Sequence, residues 1–334
     1  MTHIQKLAQK YYSLGPLILV CVLYIYKSYH FVISDFGNYY FGSYLFRIGQ
    51  FSTEVYAPCY YNTIISNLGF DFLGTYLPFT PITTLFYYPF TFLTPSVAKV
   101  VFTSISIGLL INTLIRSFSF FKINKAYFLL IPLVFLVPIK NGILFGQFYF
   151  LLFVLIIEAY LLYSKGWKWT SALLLSIAIA IKIFPILFVL WFLSIKDLKQ
   201  VLRIISMGGL LLLFSILING IDIWGFYFLK ILIPSLQGNM GLDYLINSQS
   251  MNVFLKFLFV EDSYLNPLPF IDNYNFYIYF NIIFKAIIMA FGLMMYRFIE
   301  NKPLQFGIWI CIALLISPNG STYSLVLLAI PFTI

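Results

Sequence analysis

The sequence predicts an all-α polytopic membrane protein, and three observations predict it. Hydrophobic residues make up 61% of the 334-residue chain and charged residues only 9%, with a mean hydropathy of +0.93. A soluble fold of this length cannot hide that much apolar surface in its core. The apolar residues come in runs long enough to cross or half-cross a bilayer. Basic residues cluster between those runs, so the net charge of +9 marks the sides of a membrane and does not point to nucleic acid. Aromatics at 21% suit lipid-facing surface and interfacial belts. Cys21, Cys59 and Cys311 are too widely spaced for a metal site or a disulfide framework.

The first run, residues 14–33, is long enough to span. Lys6 and Lys10 precede it and no A-x-A site follows, which reads as an uncleaved signal-anchor with a cytoplasmic N-terminus. A polar stretch, 34–81, then leads to 82–93, too short to span and more like an interfacial or re-entrant helix. Residues 97–116 run inward to the cluster Arg116, Lys122 and Lys125. Lys125 and Lys165/Lys168 both read as cytoplasmic, so 126–139 and 148–163 form a hairpin with its outer apex at 140–147.

The run 169–195 lies between Lys165/Lys168 and a second cluster, Lys196, Lys199 and Arg203. One straight helix would put one of these clusters outside. A break at Lys182–Pro185 resolves the conflict, because proline disfavours helical continuation. Two half-spans of about 12 residues, about 18 Å each, then meet at an apex in the outer leaflet. The alternative is one kinked helix with Lys182 snorkelling.

Residues 201–218 run outward, 276–296 inward and 303–316 outward. Residues 321–334 start inward, so either the last span is short or the chain is a fragment. On this assignment eight of the eleven acids lie outside: Asp35, Glu54, Asp71, Asp222, Asp243, Glu261, Asp262 and Asp272. The expected architecture is one transmembrane domain, 1–334, of roughly nine or ten transmembrane or half-membrane helices. Interfacial helices are expected in the outer loops 34–81 and 219–275.

No phosphate-binding glycine loop, dinucleotide fingerprint, H-E-x-x-H or G-x-S-x-G is present. A nucleotide-driven pump and a membrane metalloprotease lose support. The candidate residues are polar groups near the outer interface. Asp35 starts an interfacial helix, where it either caps the helix or accepts a proton with a pKa raised by burial. Lys140 and Lys182 sit at hairpin apices and either hold an anionic head group or snorkel. Lys285, inside 276–296, is a third candidate, and Glu158 pairs locally or points into the bundle. Asn141 and Gln147 flank a glycine-containing apex. Asn247, Gln249, Ser250 and Asn252 form an amide and hydroxyl cluster suited to sugar hydroxyls and equally to turns. His30 either approaches Asp35 or packs at the interface.

These features, in this order, resemble the GT-C superfamily of polyprenyl-phosphate-sugar-dependent glycosyltransferases, specifically glycosyltransferase family 87. The resemblance runs from about residue 34 to 331. It rests on Asp35-Phe36 with Tyr39-Tyr40, on Pro78-Phe79-Thr80-Pro81 with Phe86-Tyr87-Tyr88-Pro89, and on Asn141-Gly142 with Gly146-Gln147. Lys182 with Pro185, then Asn247, Gln249, Ser250 and Asn252, then Ser317-Pro318 complete it. Family members often carry a histidine after that Ser-Pro; here Tyr323 follows, which brings no positive charge.

The resemblance implies a GT-C-like bundle in a bacterial plasma membrane, with its active site on the non-cytoplasmic side. It implies transfer of a hexose, mannose first, from a polyprenyl-phosphate donor to a lipid or glycan acceptor, with inversion. Asp35 is the implied base, and Lys182 with Lys140 the implied phosphate ligands. Tyr39, Tyr40, Asn141, Gln147, Asn247, Gln249, Ser250, Asn252 and Tyr323 are the implied sugar or acceptor contacts. No cofactor, metal or nucleic acid is implied; the partners are donor, acceptor and membrane lipid. The rival readings are a lipid-linked-glycan transporter or flippase, whose two paired broken halves are not evident, and a glycan polymerase or ligase.

Overall fold

A computed structural model describes residues 12–236, 250–317 and 320–333. Asn247, Gln249 and Pro318 lie outside the described residues. As predicted, the protein is all-α: among the described residues no strand forms, only an isolated bridge between Asp262 and Asn266. Among the described residues four helices are long and apolar enough to cross a membrane: Tyr12–His30, Pro95–Phe120, Leu198–Asn219 and Tyr274–Met295. Four more apolar helices are shorter: Tyr149–Ser164, Lys168–Ile181, Phe184–Ser194 and Lys302–Ile316.

The first span, α1 (Gly15–His30), has Pro16 in its opening turn, where the missing N–H costs nothing. It ends at Phe31, which is extended. Ser34 then takes a positive φ of 51°, a turn that most residues avoid, and α2 (Asp35–Arg47) starts beyond it. The stretch 34–81, read from sequence as a polar loop, is a folded cap with its own aromatic interior. Phe36, Tyr39, Tyr40, Phe41, Tyr56, Tyr61 and Tyr76 are all buried.

The long helix α3 (Pro95–Phe120) carries the chain to the opposite end. The next span is broken. Lys125–Val134 and Leu136–Phe145 meet at 66°, whereas the sequence suggested one continuous run over 126–139. Pro138 explains the break, because it has no N–H for the Val134 carbonyl and its ring crowds that carbonyl. The second piece, α4 (Leu136–Phe145), continues through the expected apex and stops at Gly146 in the left-handed conformation. The turn is therefore at 146–147, and Lys140 sits within a helix, not at an apex.

Beyond that turn, α5 (Tyr149–Ser164) is apolar on every face and almost wholly buried, which makes it the central post of the bundle. Glu158, its one acid, pairs with Arg116 at 3.2 Å and accepts from the Thr113 hydroxyl at 3.0 Å. Both partners lie on α3 and Glu158 is buried, so it points into the bundle, the second of the two sequence readings.

The hairpin expected at Lys182–Pro185 forms. Helix α6 (Lys168–Ile181) ends where Lys182 becomes extended, at φ −140°. A 3-10 turn, Phe184–Leu187, and α7 (Phe188–Ser194) follow. The next helix, α8 (Leu198–Asn219), runs beside α6 in the same direction. Gln200 donates to the Lys168 carbonyl at 3.0 Å, and Ser176 donates to the Ile204 carbonyl at 3.0 Å. Two neighbouring helices can run parallel only if the chain between them returns, so Lys182–Ile195 is the returning leg. Tyr163 closes the base by donating to Asp197 at 2.7 Å.

A helical segment follows from Ile221 to Leu236, and later elements include α9 (Met251–Phe259), α10 (Tyr274–Met295) and α11 (Lys302–Ile316). The last element is a 3-10 helix, Thr322–Ala329. Only 17% of the α8 span and 11% of the α10 span is buried, so these two helices form the lipid-facing edge.

The returning hairpin makes a topological prediction. In a background lacking the native cysteines, Lys165→Cys and Lys199→Cys should both react with an impermeant thiol reagent from the same side of the membrane. Reaction from opposite sides would show a single straight span instead.

Candidate functional site

The site forms where α2, the α4–α5 turn, the end of α6 and the final 3-10 helix meet. Asp35 is the first residue of α2, yet its carboxylate caps nothing. It accepts instead from Gln147 Nε2 at 2.5 Å and from the Tyr323 hydroxyl at 3.4 Å. Both donors are remote in sequence, so the carboxylate is held by tertiary structure, and the helix-cap reading of Asp35 falls away. Burial raises its pKa above the usual aspartate value. The bonds from Gln147 and Tyr323 and the charge of Lys182 oppose that rise without cancelling it.

Gln147 is fixed from behind. Its Oε1 accepts from the Tyr39 hydroxyl at 3.1 Å. That orients the amide so that Nε2 faces Asp35. Tyr39 is itself locked, stacked on Tyr87 at 5.1 Å and packed on Phe79 at 4.2 Å and Phe148 at 4.8 Å. Tyr40, expected beside it, turns away, and its hydroxyl bonds the Leu93 carbonyl at 2.8 Å.

Lys99 holds this arrangement together, and the sequence reading passed over it as part of a span. It is fully buried. Its ammonium donates to the carbonyls of Phe31 at 3.1 Å, Val32 at 3.0 Å and Leu144 at 3.4 Å. It thus ties the segment leading into Asp35 to the end of α4 that leads into Gln147. Gly146 completes the clamp: a Cβ there would strike Phe36 and the Lys99 stem, and its φ of +63° also favours glycine. The signal that could have found Lys99 is a lone cation in an apolar helix with no acid within one turn. Such a group must find acceptors elsewhere.

Lys182 caps the end of α6 above a cavity of about 330 Å³. Its ammonium lies 4.8 Å from the Phe79 ring centre and 5.9 Å from that of Tyr149. The Thr80 hydroxyl donates to the Ala180 carbonyl at 2.5 Å, satisfying a helix-end acceptor and fixing the Pro78–Pro81 segment over the break. The cavity walls are mostly apolar, including Phe79, Tyr149, Phe184, Tyr227 and Leu232, and Lys285 is a second lysine in the lining. Its size and lining suit a small head group with an apolar tail.

The other sequence candidates are not gathered here. Lys140 is exposed on α4. Asn141 donates to the Thr322 hydroxyl at 2.6 Å, which docks the last element against α4. Ser250 caps α9 by accepting from the Val253 N–H at 3.2 Å. Asn252 Oδ1 is bound by the Tyr277 hydroxyl at 2.6 Å and Asn281 Nδ2 at 2.7 Å, fastening α9 to α10. His30 packs edge-on against Tyr26 and Tyr29 and does not reach Asp35. Among the described residues no three His, Cys, Asp or Glu side chains group as a metal site.

Removing the clamp should be costly. Lys99→Met leaves three buried carbonyls without a donor, and a loss of about 2–4 kcal/mol is expected. Thermal unfolding in detergent measures it. A melting temperature equal to wild type would show that the ammonium ties nothing together.

No curated protein and no solved structure matches the chain. The sequence profile of Glycosyltransferase family 87 matches residues 76–318, most of the chain. The match takes in Lys99, Gln147, Lys182 and Lys285; Asp35 precedes it. The chain belongs to glycosyltransferase family 87 and is a membrane glycosyltransferase.

Proposed function

We propose that the protein transfers a hexose, mannose first, from a polyprenyl-phosphate carrier to a lipid or glycan acceptor at the non-cytoplasmic face of a bacterial plasma membrane. The observation that carries this reading is the placing of Asp35 close enough to Lys182 to feel its charge. A carboxylate with a raised pKa, held by Gln147 and Tyr323, lies within the electrostatic reach of a lysine that lines a largely apolar cavity.

The chemistry follows from those groups. Asp35 takes the proton from the acceptor hydroxyl as its oxygen attacks the anomeric carbon. The bond from that carbon to the phosphate oxygen breaks on the opposite face, so the configuration inverts. Phosphate is a good leaving group, so one carboxylate suffices; the pair needed for glycoside hydrolysis is not required. Lys182 stabilises the phosphate as negative charge gathers on it. Gln147 and Tyr323 keep the carboxylate aimed at the acceptor, and Tyr39 holds Gln147. The apolar cavity takes the first isoprene units of the carrier.

The side of the membrane rests on charge. Lys125, Lys165 and Lys168 lie at helix ends and Lys199 and Arg203 in the opening turns of α8, at the end of the bundle opposite Lys182, the distribution expected when Asp35 faces away from the cytoplasm.

Two measurements test the reading. Asp35→Asn should fold normally and lose transfer by about 10²–10⁴-fold in proteoliposomes given a labelled polyprenyl-phosphate sugar. Full activity in that variant would sink the base assignment. The pH profile gives a second check. The base works when deprotonated, so kcat/KM should rise with pH through a value above that of an ordinary aspartate. Gln147→Ala and Tyr323→Phe remove bonds that hold the pKa down, so each should move that limb to higher pH. A limb that stays put in both variants would show that it belongs to another group.

A further inference from the structure

A lysine in the middle of a lipid-facing helix needs an explanation. Lys285 has ten or so residues of α10 on either side, about 15 Å of helix each way, too far for its side chain to snorkel to either interface. A cation at that depth is costly unless it meets an anion or water. Among the described residues, no hydrogen bond or ion pair engages it. It lines the same cavity as Lys182.

The face of α10 that carries Lys285 is built for an inward task. Tyr277, Asn281 and Lys285 follow at intervals of four, one above another on a single face. Tyr277 and Asn281 are buried on a helix whose other buried residue is Gly292, and both are bonded to Asn252. This contact sets the rotation of α10 and turns Lys285 into the bundle. Two polar atoms nearby are buried without partners: the Ser235 hydroxyl, itself part of the cavity wall, and Asn281 Oδ1, one turn from Lys285.

We infer that Lys285 is a second phosphate ligand, matched to the charge that appears on the carrier as the sugar leaves. This inference rests on the proposed donor class, and charge counting carries it. Before transfer, the donor is a phosphodiester with one negative charge, and Asp35 carries another. Lys182 and Lys285 balance the two. In the reaction the acceptor proton moves to Asp35, the new bond forms between acceptor oxygen and anomeric carbon, and the electron pair of the broken bond stays on the phosphate. The products are a neutral Asp35 and a polyprenyl monophosphate of nearly two negative charges at neutral pH. The same two lysines balance both states. Lys182 also feels Asp35, so Lys285 is the cation whose interaction grows most as charge shifts from Asp35 to phosphate. An interaction that strengthens along the reaction lowers the barrier without tightening substrate binding.

Binding of farnesyl monophosphate, its methyl phosphodiester and farnesol to the full chain in nanodiscs tests this apart from catalysis. Wild type should prefer the monophosphate. Lys285→Met should weaken it by about ten- to a hundredfold and the diester by less than about threefold. Lys182→Met should weaken both, and Lys285→Arg should restore the monophosphate. Equal losses of the two phosphates in Lys285→Met, no loss of either, or a wild type that binds farnesol as well as the monophosphate would each overturn the inference. Monophosphate binding that follows Lys285, in a wild type that transfers no sugar from any polyprenyl-phosphate donor, would keep this site and reject the proposed donor.

Discussion

A carboxylate placed among aromatic rings loses much of its hydration, and it stays there only if neighbouring groups replace what water gave. Asp35 is in that position, and much of the surrounding structure can be understood as supplying its partners. Gln147 and Tyr323 donate to it, and Lys182 contributes an opposite charge. Each partner needs its own support. Tyr39 orients Gln147, the break after α6 frees Lys182 from helical geometry, and Asn141 docks the segment that carries Tyr323.

Lys99 occupies the centre of this arrangement without touching the carboxylate. Its three carbonyl contacts join backbone just before Asp35 to backbone just before Gln147. A buried ammonium satisfied by carbonyls is a rigid joint, since any relaxation leaves a charge or several acceptors unpaired. Positioning of this kind matters for proton transfer, where small displacements of donor and acceptor cost rate steeply.

Much of the fold was legible because the bilayer restricts what a chain can do. Apolar length and basic clusters together implied the hairpin at Lys182–Pro185, and the parallel course of α6 and α8 bears it out. Asp35 and Gln147 were picked out as polar residues near one interface and Tyr323 through the family resemblance, and the three do meet. Lys99 was missed because its acceptors are backbone carbonyls far away in sequence, which no spacing rule reveals. Lys140 was placed at an apex because the run of apolar residues thins there, but the helix persists to Gly146, where only glycine fits the turn. Asn252 read as a sugar contact because amides suit hydroxyls; its actual partners lie on α10, a pairing that depends on how two separate helices rotate. The cap over 34–81 looked like a polar loop because its charged residues are visible in sequence while its interlocking aromatic rings are not.

The account turns on a donor phosphate held by Lys182 with the sugar between it and Asp35. The most direct measurement is a structure of the Asp35→Asn variant bound to a polyprenyl-phosphate sugar. The account predicts the phosphate within hydrogen-bonding distance of Lys182, the isoprenoid leaving through the apolar cavity, and an open approach to the anomeric carbon from residue 35. A phosphate bound elsewhere, or a sugar whose anomeric carbon faces away from residue 35, would contradict it.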